Sequence, residues 1–175
     1  MNNGIDNYSI QYDPIGNRQL FVINAVTNVY TSNDLNQHTS IMGGAAASPT
    51  YDSDGNMTFN GSWHHSWDGE NRLVTSEPHS ATNGSLMFEY KLDHKSRCVE
   101  LFTKQLSGRT TGYPFDPSGA GTWDTVETRR YIWHDYNIIA EIVSTNNSSF
   151  STHHFIPGVS TSPAACKVPV VSVGC

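Results

Sequence analysis

Two pairs of adjacent histidines suggest metal binding by their residue type. His64–His65 and His153–His154 both lie in segments with the composition of β-strands. A metal site needs several imidazole or carboxylate groups that point at the same ion. Because neighbouring side chains on a strand point to opposite faces, neither pair can readily chelate one metal ion. We therefore expect no metal site, and no other cofactor is indicated.

Carboxylates and a thiol suggest two further chemistries. Asp52 and Asp54 have the spacing of a carboxylate pair or of the first ligands in a calcium loop, but the glutamate that an EF-hand needs at its twelfth position is replaced by Trp63. Cys98 follows His94 closely enough to suggest a thiol–imidazole pair. Turn structure explains the acids and a strand position explains Cys98. A carboxylate-based hydrolase is therefore the weakest of three hypotheses, and we expect no enzyme.

Aromatic side chains offer a stacking surface for sugars, the basis of a second hypothesis. The four tryptophans are Trp63, Trp67, Trp123 and Trp133. Aromatic rows on sheets more often pack between layers than bind ligands. A small β module that binds carbohydrate or protein through exposed aromatics and open sheet edges is the alternative to a purely structural role.

Composition excludes several classes of protein. The chain has 175 residues and a net charge of −6, so its electrostatics gives no support to a nucleic-acid-binding surface, and we expect no nucleic-acid partner. No stretch approaches the 18 apolar residues typical of a membrane span. Residues 1–6 have neither the basic nor the apolar region of a signal peptide. Three cysteines, Cys98, Cys166 and Cys175, are too few and too unevenly placed for a disulfide framework.

One short signature recurs along the chain: an aromatic residue, Asp, two or three variable residues, Gly or Asn, then Arg or an apolar residue. Copies lie at residues 11–18, 50–57 and 66–73, with weaker copies at 90–97 and 131–138, and residues 29–37 fill the first gap. The turn residues that this signature predicts are Tyr12, Asp13, Gly16, Tyr51, Asp52, Gly55, Trp67, Asp68, Asn71, Asp93, Trp133 and Asn137.

The signature predicts a hairpin corner at each copy. The aromatic residue ends a strand, Asp accepts a hydrogen bond from a backbone N–H about two residues on, and Gly supplies the positive φ that closes the turn. The flanking segments are rich in β-branched and aromatic residues. We therefore predict an all-β fold in which antiparallel β-hairpin repeats form a curled open sheet, with a long loop at about 107–123.

The repeated Tyr/Trp-Asp turns, with phrases such as Asp34-Leu35-Asn36-Gln37 and Asn137-Ile138-Ile139-Ala140-Glu141, resemble the Rhs/YD-repeat (rearrangement hotspot) family over roughly Gln11 to Ile156. Members of that family wind many hairpins into a spiral sheet that forms a hollow shell. In bacterial polymorphic toxins the shell encloses a C-terminal toxin, and other relatives are surface or secreted proteins. Leu92, Ser96 and His134-Asp135 depart from the family pattern.

The resemblance implies a non-enzymatic fragment of such a shell. Its partners would be the remaining repeats and an enclosed toxin, with a glycan as the alternative partner. Full-length relatives are exported or lie at the cell surface, whereas the location of this chain is left open. Exposed edges of a partial sheet invite self-association, so we expect oligomers and poor solubility for the chain alone.

Residues 1–156 form the predicted repeat region, and residues 157–175 form a tail without the repeat signature. Back-translated with freely chosen codons and moved to another frame, the tail becomes W-G-L-D-L-T-G-S-L-Q-G-A-G-G-V-G-G-L, which resembles the way related sequences continue. The hypothesis is a frameshift near residues 156–157 that leaves a disordered, off-frame tail; a genuine unrelated C-terminus is the alternative.

Overall fold

The computed structural model describes residues 8–44, 46–109, 120–146 and 150–154, and within these ranges the chain forms β-strands and no helix. The strands are β1 Tyr8–Tyr12, β2 Arg18–Ile23, β3 Val26–Ser32, β4 His38–Gly43, β5 Thr50–Tyr51, β6 Met57–Phe59, β7 Trp63–Trp67, β8 Leu73–Pro78, β9 Leu86–Leu92, β10 Cys98–Ser107, β11 Thr122–His134, β12 Asn137–Thr145 and β13 Phe150–His154. All described pairings are antiparallel between strands that follow each other in sequence. The predicted all-β fold of antiparallel hairpins is confirmed.

The chain divides into two compact units between Ser62 and Trp63. In the first unit, β1 to β4 form a four-stranded sheet in sequence order, and β5 and β6 form a hairpin. In the second unit, β7 to β13 follow one another in sequence order as antiparallel neighbours. None of the described residues belongs to a helix long and apolar enough to cross a membrane.

Exposure alternates residue by residue along strand β7, as expected for a strand with one face towards the interior. Its residues Trp63, His65 and Trp67 are half-buried, whereas His64 and Ser66 between them are exposed. Alternate residues of a strand share a face, so the two adjacent histidines point in opposite directions, as their sequence positions predict.

The core of the second unit lies where its strands approach the hairpin corners. Tyr90, Cys98 and Tyr131 are buried there, each with 5–6% of its surface exposed. The partly buried side chains that pack against them are Leu73, Phe88, Leu92, Leu101, Trp133 and Ile138. Burial of apolar surface is the main driving force for folding, so this cluster holds the ends of β8 to β12, and hence the corners between them, in place.

Six hairpins in the described residues each contain the same kind of β-bulge. In each, the register shifts by one residue shortly after the chain has turned into the return strand. The unpaired residue of the return strand is Gln19, Thr39, Thr58, Val74, Val99 and Ile139 in turn. A bulge of this kind increases the local twist and re-aims the neighbouring side chains. Because the bulge recurs, the structural repeat includes the first residues of the return strand as well as the corner.

Candidate functional site

Five loops in the described residues have the same backbone structure, and we call them the Asx corners. They are residues 13–17, 33–37, 52–56, 68–72 and 93–97, with positions numbered 1 to 5 in each. In every corner the N–H of position 1 donates to the carbonyl of position 5 at 2.8–3.0 Å, and the N–H of position 4 donates to the carbonyl of position 1 at 3.0–3.2 Å. Two backbone hydrogen bonds therefore close each corner.

The side chain at position 1 accepts the hydrogen bonds of further N–H groups in the loop. Asp52 Oδ1 accepts hydrogen bonds from the N–H groups of Asp54 and Asn56 at 3.0 and 2.8 Å, and its Oδ2 accepts from Asn56 Nδ2 at 3.0 Å. Asp13, Asp68 and Asp93 make the corresponding bonds. Asn33 accepts the same two backbone bonds and turns its amide towards Gln37. Position 1 is therefore an Asx-turn anchor in all five corners.

Position 4 of every Asx corner has a left-handed backbone. The φ angles are 95° at Gly16, 60° at Asn36, 88° at Gly55, 58° at Asn71 and 58° at Ser96. Glycine adopts this conformation without strain and asparagine tolerates it, whereas serine is disfavoured. The Gly or Asn in four of the five corners is thus explained by the shape of the loop, whereas Ser96 is strained there.

In three of the Asx corners, position 5 links the corner to the next one along the chain. In the first unit, Asn17 Nδ2 donates to Asn36 Oδ1 at 3.0 Å. In the second unit, Arg72 holds Asp68 through its Nε at 2.8 Å and its Nη2 at 2.7 Å, which leaves Nη1 to donate to the carbonyl of Asp93 at 3.0 Å. Arg97 holds Asp93 in the same way and donates through Nη1 to the carbonyl of Asp135. An arginine here is bound to its own corner and to its neighbour.

The aromatic residue that ends the outgoing strand makes the reverse contact. Tyr51 Oη donates to the carbonyl of His38 at 3.2 Å, and Trp133 Nε1 donates to the carbonyl of Cys98 at 2.8 Å. His38 and Cys98 occupy the same place, directly after the preceding corner. The aromatic and Asp positions of the signature therefore connect hairpins that are distant in sequence as well as closing single turns.

The corner between β11 and β12 differs from the sequence-based expectation. Trp133 pairs with Ile138, so the loop is one residue shorter than an Asx corner, and His134 pairs with Asn137 across a two-residue turn. Asp135 has a φ of 51° and takes the positive-φ position, whereas the signature placed Asn137 in the turn. Asn137 is instead the first residue of β12. The bulge at Ile139 is kept, so the shortened loop preserves the register of the following strand.

Hydrogen bonds in the corners lower the pKa of their carboxyl groups. The Arg97 guanidinium lowers the pKa of Asp93 to about 2. The Arg72 guanidinium also lowers the pKa of Asp68, and the Asn56 carboxamide lowers the pKa of Asp52. At Asp13, desolvation opposes the effect, but hydrogen bonds from Asn17 still bring the pKa below its usual value. Each carboxylate is thus held ionised as an acceptor, which is the opposite of what a general acid needs.

A serine–histidine pair closes one corner. Ser32 Oγ lies 2.9 Å from His38 Nδ1, and the two residues pair directly across β3 and β4. Burial lowers the pKa of His38, and the charge of Arg18 lowers it further. The neutral imidazole also packs on the Tyr30 ring, with 5.2 Å between centroids. These contacts describe a cross-strand pair that packs within the sheet.

The other residues singled out from the sequence lie apart from one another. Asp54 occupies an exposed position 3, and His94 an exposed position 2, whereas Cys98 is buried and its thiol contacts the carbonyl of Glu100 at 3.4 Å. All four tryptophans are half-buried, and Trp63 stacks on Phe88 with 5.9 Å between ring centroids. Within the described part of the chain, no three His, Cys, Asp or Glu side chains are grouped to hold a metal ion.

Sequence reasoning identified the anchors but missed the links between corners. Asn33 lies in the gap between two copies of the signature, although Asn33 and Asn36 have the spacing of Asp68 and Asn71. The signature assigns no contact to the position-5 residues Asn17, Gln37, Asn56, Arg72 and Arg97. A signal existed, because a residue with a hydrogen-bonding side chain recurs four places after each anchor.

Comparison with known proteins gives little further identification. No protein-family model matches the chain, and none of the curated proteins matches it. Among solved structures, a chain in the crystal structure of TcdB2-TccC3-Cdc42 has a weak similarity, with a TM-score of 0.42 and 15% sequence identity. The match covers 86% of this chain and 7% of that one, so the present chain spans only a small part of the length of this structural neighbour.

Proposed function

We propose that this chain is a non-enzymatic structural segment of an Rhs/YD-repeat shell. The observation that carries the proposal is the repeated Asx corner, with position-5 links between successive corners inside each unit. Such links pass the same contact from one hairpin to the next, as in Arg72 to Asp93 and Arg97 to Asp135. An architecture of nearest-neighbour contacts suits an extended wall built from many hairpins.

Saturation of the corner carboxylates supports the non-enzymatic part of the proposal. Asp68 accepts hydrogen bonds from two backbone N–H groups and from the Arg72 guanidinium, and Asp93 is held in the same way by Arg97. A carboxylate in catalysis must reach a substrate proton or carbon. The oxygens of these carboxylates instead accept hydrogen bonds from groups of their own loops.

In the proposed setting, the partners of the segment are further repeats and a toxin enclosed by them, in an exported or cell-surface bacterial protein. The chain alone is proposed to self-associate through its strand edges. Size-exclusion chromatography with light scattering tests this point. Oligomers that form as concentration rises are expected, and a monodisperse monomer over the same range would contradict self-association.

The DNA around the coding region tests the shell proposal itself. Sequencing across codons 150–176 and about a kilobase beyond should show a shifted frame that continues the Asx-corner spacing of Asx, positive-φ residue and Asn, Gln or Arg. The proposed frameshift also requires that the insertion or deletion of a single base restores this frame. If no reading frame in the sequenced region continues the repeat, the shell proposal is wrong.

A binding module is the second candidate because β1 exposes an aromatic row. Tyr8 and Tyr12 are 70% and 55% exposed, and their spacing places them on one face of the strand. Exposed rings of this kind can stack on sugars. A glycan array with the full chain should give no saturable binding. Binding that Tyr12→Ala abolishes and Tyr136→Ala preserves would replace the scaffold proposal with the binding module.

A further inference from the structure

Two histidines, one on a strand and one directly after the neighbouring strand, bring their ring nitrogens into hydrogen-bond contact. His64 lies on the exposed face of β7, and His79 follows directly after the end of β8 at Pro78. His64 Nε2 lies 2.8 Å from His79 Nδ1, and the ring centroids are 5.0 Å apart with the planes tilted by 52°. Neither adjacent histidine pair in the sequence predicts this arrangement, since it joins residues 15 positions apart.

Strand pairing explains why the rings meet. His64 pairs directly with Glu77, and His79 lies two residues beyond Glu77. Side chains two residues apart share a face, and the diagonal neighbour across an antiparallel pair is within reach of a long or aromatic side chain. The register of β7 and β8 therefore brings the two imidazoles together and places the Glu77 position on the same face.

The separation of the two nitrogens distinguishes among metal geometries. Two imidazole nitrogens bound at about 2.0–2.1 Å lie about 2.9 Å apart when they are at a right angle around the ion, and about 3.3 Å apart at the tetrahedral angle. The observed 2.8 Å is close to the right-angled separation, so the distance between the nitrogens changes little and the rings need only turn until both lone pairs face the ion. Square-planar and tetragonal coordination by nitrogen is typical of Cu²⁺ and Ni²⁺, and Cu²⁺ binds such ligands most strongly.

We propose that His64 Nε2 and His79 Nδ1 form a surface site for a right-angle-coordinating divalent cation, Cu²⁺ before Ni²⁺. On binding, the proton of the hydrogen bond moves through water to the outer nitrogen of the ring that donated it. The ion then binds the two freed nitrogens, and water fills its remaining positions. Both rings then carry their own proton on the outer nitrogen, His64 Nδ1 and His79 Nε2. The negative charge at Glu77 and the net charge of −6 favour a cation on this face. The site is independent of the shell proposal.

Calorimetric titration of the untagged full chain with CuCl₂ tests the site. Removal of one of two ligands should weaken binding by at least about tenfold, so His64→Gln and His79→Gln should each show that loss. His134→Gln and a His153→Gln/His154→Gln double variant serve as matched controls with unchanged affinity. Unchanged binding in both site variants, or loss only in the double variant, would overturn the proposal.

A second measurement does not depend on how the variants fold. Substoichiometric Cu²⁺ should broaden the imidazole signals of His64 and His79 in long-range ¹H–¹⁵N spectra of the unaltered chain, before those of the other histidines. Broadening that starts at His153 and His154 would overturn the assignment. Zn²⁺ should bind at least about tenfold more weakly than Cu²⁺, and equal affinity would contradict the right-angled geometry.

Discussion

The guanidinium of Arg97 lies over the indole of Trp133, with 5.6 Å between the guanidinium carbon and the ring centroid. The same two side chains carry the hydrogen bonds between their corners in opposite directions. Arg97 donates forward to the carbonyl of Asp135, and Trp133 Nε1 donates back to the carbonyl of Cys98 at 2.8 Å. Two hydrogen bonds to backbone carbonyls and one cation–π contact therefore join the corner at Asp93 to the corner at Asp135. Trp133 also packs against the buried cluster of Tyr90, Cys98 and Tyr131.

Loss of the indole donor should weaken the junction. Trp133→Phe keeps an aromatic ring but removes the bond to the carbonyl of Cys98, so the free energy of unfolding should fall by about 1–2 kcal/mol. Urea unfolding followed by circular dichroism measures the change. Tyr136→Phe is the control, because Tyr136 is 78% exposed and its substitution should stay within about 0.5 kcal/mol. Equal effects of the two variants would show that the Trp133 bond does not stabilise the fold.

Loss of the charge at a corner anchor should be felt most where the partner is arginine. In Asp93→Asn, the amide still accepts backbone N–H bonds but no longer forms an ion pair with Arg97. The urea midpoint should therefore fall clearly below that of the unaltered chain. Asp135→Asn removes the same charge from an exposed turn position with a φ of 51°, which asparagine tolerates. This control should unfold at the original midpoint or above, and a lower midpoint than that of Asp93→Asn would contradict the anchor role.

Acid should destabilise the corners by protonating their anchor carboxylates. The pKa of Asp93 is about 2 in the folded chain because Arg97 stabilises its carboxylate, against an ordinary value of 3.8. A depressed folded-state pKa contributes stability that is complete above the unfolded pKa and is lost as pH falls through the folded pKa. The urea midpoint should thus drop between pH 4 and pH 2, since the pKa of Asp52 and of Asp68 is lowered too.

The same titration has an internal control. Asp93→Asn cannot be protonated at this position, so its urea midpoint should fall less between pH 4 and pH 2 than that of the unaltered chain. Parallel pH profiles for the two proteins would mean that Asp93 is not linked to acid unfolding.

Glycine should stabilise the corner that has serine at position 4. Ser96 has a φ of 58° at position 4, and a left-handed backbone costs a non-glycine residue about 1–2 kcal/mol. Glycine loses part of this gain through its greater freedom in the unfolded chain, so Ser96→Gly should stabilise by about 0.5–1 kcal/mol. Thermal unfolding measures the shift. Ser53→Gly, at position 2 of another corner, should give no gain, and a similar gain there would remove the conformational explanation.

Local chemistry explains why the hairpin corners could be predicted from the sequence. Asp13, Asp52, Asp68 and Asp93 bind backbone groups two and four residues away, so their role is encoded within five consecutive residues. The alternation of apolar and polar residues in β7 likewise determines which side chains share a face. Asn33 belongs to the same pattern and could have been found by the same spacing.

The tertiary structure alone decided the contacts that join one hairpin to another. Arg72 and Asp93 are 21 residues apart, and Trp133 and Cys98 are 35 residues apart. No local pattern specifies such pairs, because they depend on strand lengths and on the register of each bulge. The one-residue shortening of the loop before Asn137 and the meeting of His64 with His79 have the same origin. The sequence by itself thus determined the individual corners, whereas long-range strand register decided how they are joined and which histidines meet.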